Sequence, residues 1–243
     1  MATFYIILAI ILSFTIVWLI DKYDLKKYKK FILTALWAII IFLFYSTFMS
    51  IYGEIQFNKI KEKRYKVVIQ NLVDIRDSQI AHRAVNGNFQ KNWDSLIKFI
   101  EEGKFTITQR RDTTIIDEVL TRRYGVDTTK DIFIVDTLGF VNVKDSLFGV
   151  DDRYKNMMII PVGSKDKIFE LKTGSVQQNG INMPVFEASV DKSIILFDQD
   201  ENLVKKEKEV MSVEEVNGPT LKVGSMEEVN TNGNWPKNYS SEQ

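Results

Sequence analysis

Two uncharged apolar segments dominate the N-terminal part of the chain. Residues 3–20 are TFYIILAIILSFTIVWLI, and residues 31–53 are FILTALWAIIIFLFYSTFMSIYG. At about 1.5 Å per residue, each segment is long enough as a helix to cross most or all of a bilayer's ~30 Å hydrocarbon core. The first segment lacks the basic region and small-residue cleavage pattern of a signal peptide. We therefore expect residues 1–53 to form a transmembrane hairpin with a short loop at 21–30.

The second apolar segment continues into a polar sequence that keeps a helical pattern. There is no Pro or Gly between Gly53 and Gly87, so one continuous helix over residues 31–85 is expected. Its second half carries a broad stripe of apolar residues at helical spacing. The stripe consists of Val68, Ile69, Leu72, Val73, Ile75, Ile80 and Ala84.

A corner follows this helix. Asn86 and Gly87 tolerate a left-handed backbone and predict the helix end. Asn92 is a suitable cap for a short amphipathic helix that Gly103 ends. Such a helix needs packing for stability, and we expect Phe89 and Trp93 to fill the corner. Residues 54–103 are thus predicted to comprise the long helix and a short second one.

Short apolar runs with β propensity alternate with turn residues from residue 104 to 223. The runs predicted as strands are FTIT, DIFIVD, FVNVKDSLF, MMIIPV, KIFEL, MPVFEAS and SIILF, and the pair Asn179-Gly180 predicts a hairpin turn. Residues 111–124 are predicted to hold one more helix. Residues 224–243 are polar and lack periodicity, which predicts a tail that is ordered only against something else. The expected fold is an α+β membrane protein with a small antiparallel β-rich domain.

The distribution of lysines predicts the orientation in the membrane. The loop between the apolar segments holds Lys22, Lys26, Lys27, Lys29 and Lys30, and cytoplasmic loops retain basic residues during insertion. A second basic group lies at residues 59–66, but long domains translocate largely regardless of charge. We therefore expect a bacterial inner-membrane protein with two spans and its C-terminal domain in the periplasm.

Composition excludes some chemistry. The chain has 32 basic and 32 acidic residues, a balance that argues against nucleic acid as a partner. It has no cysteine, so disulfides and thiolate metal sites do not arise. The motifs of α/β-hydrolases, zinc proteases, P-loop NTPases and dinucleotide-binding enzymes are missing. We predict no cofactor and no catalytic residues.

The single histidine is the nearest approach to a catalytic group. His82 lies one helical turn from Ser78 and close to Asp77, the spacing that a base, a nucleophile and an orienting acid would need. The simpler interpretation, which we favour, is a histidine on the helix surface or at an interface. The charges at residues 151–153 are expected to be exposed on a loop and to contribute little.

Residues 198–209, DQDENLVKKEKE, resemble the start of a calcium-binding loop. The weak candidate ligands are Asp198, Asp200, Asn202 and Glu209. Leu203 stands where the sharp turn of an EF-hand needs glycine, and the preceding SIILF is predicted as a strand instead of a flanking helix. An ordinary solvated turn before a charged helix is therefore the favoured interpretation.

The terminal tryptophan is a candidate contact residue. Trp235 lies in a polar context, NGNWP, where a solvated tail has no folding reason for an indole. It is expected to dock either in its own domain or in a partner protein.

The order of these elements resembles that of type IV pilins and type II secretion pseudopilins. In these families a membrane helix continues into a soluble helix, a G-x-aromatic turn, a short helix and a small antiparallel sheet. The corresponding residues are Ala81, Ala84, Asn86, Gly87, Phe89, Leu96 and Phe99. The resemblance implies a pilin-like periplasmic module in which Gly87, Phe89 and Trp93 form the structural corner.

Two features depart from the pilin pattern. Lys30 precedes Phe31 where pilins have the glycine before their cleavage site, and Ala35 occupies the place of the glutamate that pairs within filaments. A complete additional apolar segment also precedes the helix. These departures imply a fixed subunit with a pilin-like module instead of a processed filament subunit.

Nearly the whole chain also resembles a family of inner-membrane proteins of the Bacteroidota. The likeness is carried by the segment from Phe57 to Phe89, by VFEASV and by GPTLKVGS with the later GNW. It brings no activity with it.

These patterns favour a non-enzymatic structural or scaffold subunit, anchored in the inner membrane, of a multiprotein envelope assembly. Secretion, pilus-like and gliding machineries are candidate settings, and the expected partners are the lipid bilayer and other inner-membrane and periplasmic proteins. The alternative is a periplasmic ligand-binding sensor that signals through partner membrane proteins, because its own cytoplasmic loop is too short to hold an effector.

The lysine distribution generates a topology prediction. A reporter that is active only in the periplasm should be active when fused after Glu242 and inactive when inserted at Lys27. The measurement is reporter activity in cells that express each fusion at equal level. The reverse pattern would place the C-terminal domain in the cytoplasm and remove the comparison with pilins.

Overall fold

The chain has an α+β fold with a long apolar N-terminal helix and a small antiparallel β domain. The hydrophobic pattern predicts this fold class. The computed structural model describes residues 2–22, 29–163, 167–236 and 239. The chain divides into two compact units, Met1–Lys63 and Arg64–Gln243. Each unit is described by itself.

The N-terminal unit contains helix α1, Ala2–Lys22, and the first part of helix α2, Lys29–Asn86. The large apolar side chains of α2 from Phe31 to Ile55 are mostly exposed. Among the residues that the structure describes, α2 is the one helix long and apolar enough, over Lys30–Asn86, to cross a membrane. Most of the expected loop at 21–30 lies outside the described residues.

The second unit contains the C-terminal part of α2, whose buried face only partly matches the predicted stripe. Val68, Leu72 and Ile75 are fully buried, as expected. Beyond Ile75 the prediction is wrong, because Ile80 and Ala84 are exposed. The buried face continues instead through polar residues, namely Ser78, Gln79 and His82, which lie at helical spacing from Leu72 and Ile75.

Helix α3, Trp93–Glu102, begins and ends where the sequence predicts. The Asn92 side chain accepts a hydrogen bond from the Ser95 N–H at 3.0 Å, which satisfies one of the free donors at the helix start. Leu96 and Ile100 form its buried face. At the other end, the Gly103 N–H donates to Phe99 O at 2.7 Å.

The central sheet has three antiparallel strands in the order β3-β4-β5. They are β3, Glu170–Gln178, β4, Ile181–Asp191, and β5, Thr220–Gly224. The β3–β4 turn is formed by Asn179 and Gly180, whose φ angles of 52° and 79° are those of a tight hairpin turn. This confirms the predicted turn. The core side chains of the three-stranded sheet are Val185, Phe186, Ala188, Val190, Leu221 and Val223.

A separate two-stranded ribbon is formed by β1, Lys104–Ile116, and β2, Thr129–Asn142. The strands pair antiparallel along their whole length, with a bulge where Leu138 has no partner between Ile107 and Thr108. Helix α4, Glu118–Tyr124, connects them. The predicted helix over residues 111–124 is therefore too long, because the strand continues to Ile116 and Asp117 caps a helix of only seven residues.

Two predicted β segments contain short helices, and a third forms only a bridge. FVNVKDSLF holds the end of β2 and helix α5, Val143–Leu147, while SIILF lies mainly in α6, Lys192–Ile195. Asp191 explains the second error, because its carboxylate accepts from the Ser193 N–H at 2.7 Å and so starts a helix. Helix α7, Glu201–Lys208, follows, while MMIIPV contributes only the isolated bridge between Ile159 and Ile168.

A buried lysine joins the elements around α6. The Lys192 side chain has no solvent exposure, and its Nζ donates to Glu207 Oε1 at 3.1 Å, to Glu207 O at 2.7 Å and to Val216 O at 2.8 Å. The Tyr65 hydroxyl of α2 donates to the same Glu207 carboxylate at 3.2 Å. Burial raises the pKa of Tyr65, so the hydroxyl keeps its proton and serves as a donor.

The first part of the expected polar tail belongs to the sheet region. The Gly224 N–H donates to Asn232 O at 3.0 Å, and the Asn234 side chain donates to Thr220 O at 2.7 Å. In return, the Lys222 N–H donates to Asn234 Oδ1 at 2.9 Å. The expectation that this segment is ordered only against something else is therefore wrong for residues 225–236, and most of residues 237–243 lie outside the described residues.

The buried lysine generates a stability prediction. Lys192→Met removes the buried ammonium that donates to the Glu207 carboxylate, and breaking a buried ion pair by removing one partner typically costs roughly 3 to 5 kcal/mol. We expect a large fall in melting temperature for the full-length chain in mild detergent.

The matched control is Lys172→Met, because Lys172 pairs with Glu170 on the exposed surface of β3. This variant should change the melting temperature little. Equal effects of the two substitutions would contradict a special role for the buried pair.

Candidate functional site

The corner between α2 and α3 is held by polar side chains. Gln79 forms two hydrogen bonds with the backbone of Gln90: its Nε2 donates to Gln90 O at 2.7 Å, and its Oε1 accepts from the Gln90 N–H at 2.9 Å. His82 Nδ1 lies 2.7 Å from Asn88 O. Gly87 has a φ of 80°, which favours glycine, and its N–H donates to Arg83 O at 2.8 Å. The corner is thus fixed by hydrogen bonds as well as by apolar packing.

The two aromatic residues of the corner behave differently. Phe89 is 8% exposed, and its ring centroid lies 4.7 Å from that of Phe186 in β4. Trp93 is only half-buried. The expectation that both residues fill the corner is therefore right for Phe89 and too strong for Trp93.

His82 is a structural residue in this geometry. Its ring is buried and meets the Phe99 ring edge-on, with 4.8 Å between centroids. The Ser78 hydroxyl donates to Asp74 O at 2.7 Å, one turn back along α2, instead of facing the imidazole as a nucleophile would. Of the two predicted positions for His82, the helix surface and an interface, the geometry favours the interface, because the ring lies between α2 and α3.

A half-buried ion pair ties α2 to the loop that was expected to hold exposed charges. Arg153 donates to both carboxylate oxygens of Asp74, at 2.9 and 3.2 Å, and also to Asp151 at 3.1 Å. The Asp74 side chain is 7% exposed, and burial raises its pKa although Arg153 opposes the shift. Sequence reasoning missed this pair because nothing local connects residues that lie so far apart along the chain.

The four calcium candidates do not form a binding loop. Arg64 holds the Asp198 carboxylate, with Nη2 donating to Oδ2 at 2.8 Å, and keeps the pKa of Asp198 well below its usual range. Asp200 caps α7 by accepting from the N–H groups of Asn202 and Leu203. Helix α7 then separates Asp200 from Glu209 by more than two turns. The described residues contain no group of three or more His, Cys, Asp or Glu side chains placed to hold a metal.

Trp235 packs on its own chain. A Cβ at Gly233 would clash with three atoms of the indole ring, so the ring covers this glycine. Gly233 in turn forms an isolated bridge with Val223 of β5. Of the two alternatives for Trp235, this contact favours docking in its own domain, and the ring keeps partial exposure.

The ribbon of β1 and β2 is the most exposed regular element of the second unit. Every residue of these strands, which the structure describes in full, is exposed or half-buried. The exposed set is rich in large apolar side chains: Ile107, Ile115, Ile116, Phe133, Ile134, Val135, Leu138, Phe140 and Val141. Apolar clusters of this kind mark interaction sites on protein surfaces.

The apolar residues of β2 lie on both faces of the ribbon. Because side chains alternate along a strand, Phe133 and Val135 point to one face while Ile132 and Ile134 point to the other. Uninterrupted apolar runs are typical of strands that are covered on both faces. The run IFIV is therefore a signal in the sequence for a surface that needs cover, as well as for a strand.

The ribbon is attached to the rest of the unit at one end. At its base, the Val143 N–H donates to Gly103 O at 3.0 Å, and Val143 is fully buried. The strands beyond this point pair only with each other in the part of the chain that the structure describes. An isolated two-stranded hairpin is marginally stable in water, so the ribbon would gain stability from further pairing or packing.

Comparison with known proteins gives no relative from which a role could be transferred. No family model, no curated protein and no solved structure matches this chain. The functional argument therefore depends on the residues and geometry described above.

The corner generates a prediction about its two aromatic residues. Phe89→Ala should destabilise the full-length chain by about 3 kcal/mol, because truncating a buried phenylalanine leaves a cavity. Trp93→Ala should cost clearly less, because the indole is already partly solvated. Thermal unfolding in mild detergent measures both, and an equal or larger loss for Trp93→Ala would show that the indole has the greater role in the corner.

Proposed function

We propose that this protein is a non-enzymatic scaffold subunit of a multiprotein assembly in the bacterial envelope. Residues 1–53 anchor it in the inner membrane as a two-span hairpin, and residues beyond them form a periplasmic module that binds other proteins. Secretion, pilus-like or gliding machinery is the proposed setting, and the organism would belong to the Bacteroidota.

The exposed apolar surface of α2 supports the membrane anchor. Apolar side chains from Phe31 to Ile55 are mostly exposed in the N-terminal unit, and lipid would cover them. Residues of α1 and α2 also line a common apolar groove, which supports the hairpin; the lining residues are Ile10, Leu12, Ser13, Leu36, Ile39, Ile40 and Leu43. The basic loop supports the periplasmic orientation.

The ribbon is the observation that carries the proposed binding role. It presents Phe133, Phe140 and Leu138 to solvent at 59%, 66% and 64% exposure, although a folded unit normally buries such residues. A surface this apolar has a physical reason to exist when another protein covers it.

The use of the polar groups supports a structural role over catalysis. Among the described residues, every buried side-chain nitrogen and oxygen has a hydrogen-bond partner. The buried ionisable groups that could do chemistry are engaged in fixing the fold, as Lys192 with Glu207 and Asp74 with Arg153 demonstrate. A general base or nucleophile needs instead to face a substrate cleft.

Purification from native membranes tests the proposal. The full-length chain, solubilised in mild detergent, should bring down other membrane or periplasmic proteins at fixed stoichiometry, as measured by mass spectrometry. Leu138→Asp places a charge on the ribbon and should weaken this association, because the charge must be desolvated in an interface.

The control is Val150→Asp, which adds the same charge at a fully exposed site outside the ribbon and should leave the association unchanged. Recovery of the chain without any other protein would contradict the role of an assembly subunit. A small molecule that raises the melting temperature of such a lone chain would then favour the sensor hypothesis.

A further inference from the structure

The ribbon has two outer strand edges, and they differ in charge. The middle of β1 carries Arg110, Arg111 and Asp112 in succession, whereas the run from Ile132 to Val135 in β2 has no charge. Charged side chains on an edge strand oppose pairing with another strand, and an uncharged edge of β-branched and aromatic residues favours it. The outer edge of β2 is therefore the edge suited to pairing.

Symmetry limits how two copies of one strand can pair. Two antiparallel copies in one sheet are related by a twofold axis perpendicular to that sheet, and such an axis keeps each face of the strand on the same side. Directly opposite residues share a face, and faces alternate along a strand. The axis must therefore lie midway between a residue and its own copy, so that this residue pairs with itself. We describe such a residue as lying on the axis.

Charge then selects one of these registers. With Phe133 on the axis, Ile132 lies opposite Ile134 of the second copy, and Lys130 lies opposite Asp136 of the second copy. Symmetry forms each of these pairs twice. Opposite charges across a strand pair are stabilising, whereas a register with Asp136 on the axis would place like charges together.

Neighbouring registers lack this match. With Ile132 or Ile134 on the axis, Lys130 lies opposite Ile134 or Leu138 of the second copy. Lys130 then gains no acidic neighbour beyond Asp117 of its own chain, with which it pairs at 3.6 Å. The segment that pairs in the favoured register, residues 129–137, also lies before the bulge at Leu138, so its backbone is regular.

On β1, the three centres in the middle of the strand, Arg110, Arg111 and Asp112, each place a like-charged pair on the axis, because the residue would face its own copy. Like charges directly opposite each other are destabilising. On β1, Lys104 meets Asp112 only with Thr108 on the axis, and that register places Arg111 opposite Phe105. The β2 edge is therefore the one on which a single register matches both the opposite charges and the apolar residues.

We propose that β2 pairs edge to edge with β2 of a second copy of this chain, antiparallel, with Phe133 on the twofold axis. The two ribbons then form one sheet of four strands in the order β1-β2-β2-β1. This inference rests on the proposed function in treating the ribbon as a binding surface, and it names a second copy as the occupant of the β2 edge.

Cysteine crosslinking in the full-length chain tests the register, because the natural sequence has no cysteine. Directly opposite residues have Cβ atoms about 4.5 to 5.5 Å apart, close enough for oxidation to join them with small adjustment. Phe133→Cys, in mild detergent or in native membranes, should give a disulfide-linked species with the mass of two chains after treatment with copper phenanthroline.

The matched control is Phe140→Cys. Phe140 lies on the same strand and the same face and is similarly exposed, at 66% against 59% for Phe133. In the proposed register the two copies of residue 140 are roughly 40 Å or more apart, at ~3.4 Å per residue along the strand. This variant should stay at the mass of one chain.

A mixed experiment tests the register independently. When Ile132→Cys and Ile134→Cys chains with different tags are co-expressed, they should crosslink to each other more than either does to itself. Residues 132 and 134 of the two copies lie directly opposite, whereas the two copies of the same residue are diagonal neighbours about 7 to 8 Å apart. A melting temperature close to that of the natural chain shows that each variant is folded.

The outcomes separate this inference from the proposed function. Folded Phe133→Cys that stays at the mass of one chain, or equal crosslinking by Phe140→Cys, overturns the second-copy inference. If other proteins still co-purify at fixed stoichiometry in that case, the scaffold function stands with a different occupant of the ribbon. Crosslinking at residue 133 alone, with no other protein recovered, supports the inference and contradicts the assembly.

Discussion

The fold of the second unit depends on the burial of the Lys192 ammonium. Moving a charge out of water costs several kcal/mol, so a lysine without solvent exposure needs acceptors in fixed positions. Glu207 and the carbonyl of Val216 supply them, and Tyr65 holds the Glu207 carboxylate in place. Lys192 directly follows β4, so this interaction fixes the sheet, α7, the segment before β5 and α2 relative to one another. A rigid unit of this kind presents its surface elements in constant positions.

The same principle applies along the buried face of α2. Asp74, Gln79 and His82 lie where a hydrophobic pattern would place apolar residues, and each is matched by a partner far away in the chain or beyond the corner. A buried polar group is costly unless its hydrogen bonds are made, so these residues specify one arrangement of α2 and α3 more sharply than apolar side chains could. The pair Asn86-Gly87 marks the position of the turn, whereas the interactions that hold the corner are these polar ones.

Local signals were the part of the structure that could be predicted from sequence. The cap at Asn92 and the turn at Asn179-Gly180 depend on neighbouring residues and were confirmed. The pairing of Asp74 with Arg153 and the burial of Lys192 depend on residues brought together only by folding, so a single sequence cannot show them. The segment SIILF lies between these cases. Its apolar run indicates a strand, but Asp191 caps a short helix there. The local hydrogen bond of the cap outweighs the β propensity of the run.

The two edges of the ribbon explain why association would stop at a pair. An exposed strand edge is a template for continued addition of strands, which leads to fibres. In a sheet of the order β1-β2-β2-β1 the β2 edges, with their uncharged run from Ile132 to Val135, lie inside, and the outer edges are those of β1, where Arg110, Arg111 and Asp112 oppose further pairing. The polar character of β1 and the apolar character of β2 are then two parts of one arrangement: one strand joins two copies, and the other ends the sheet.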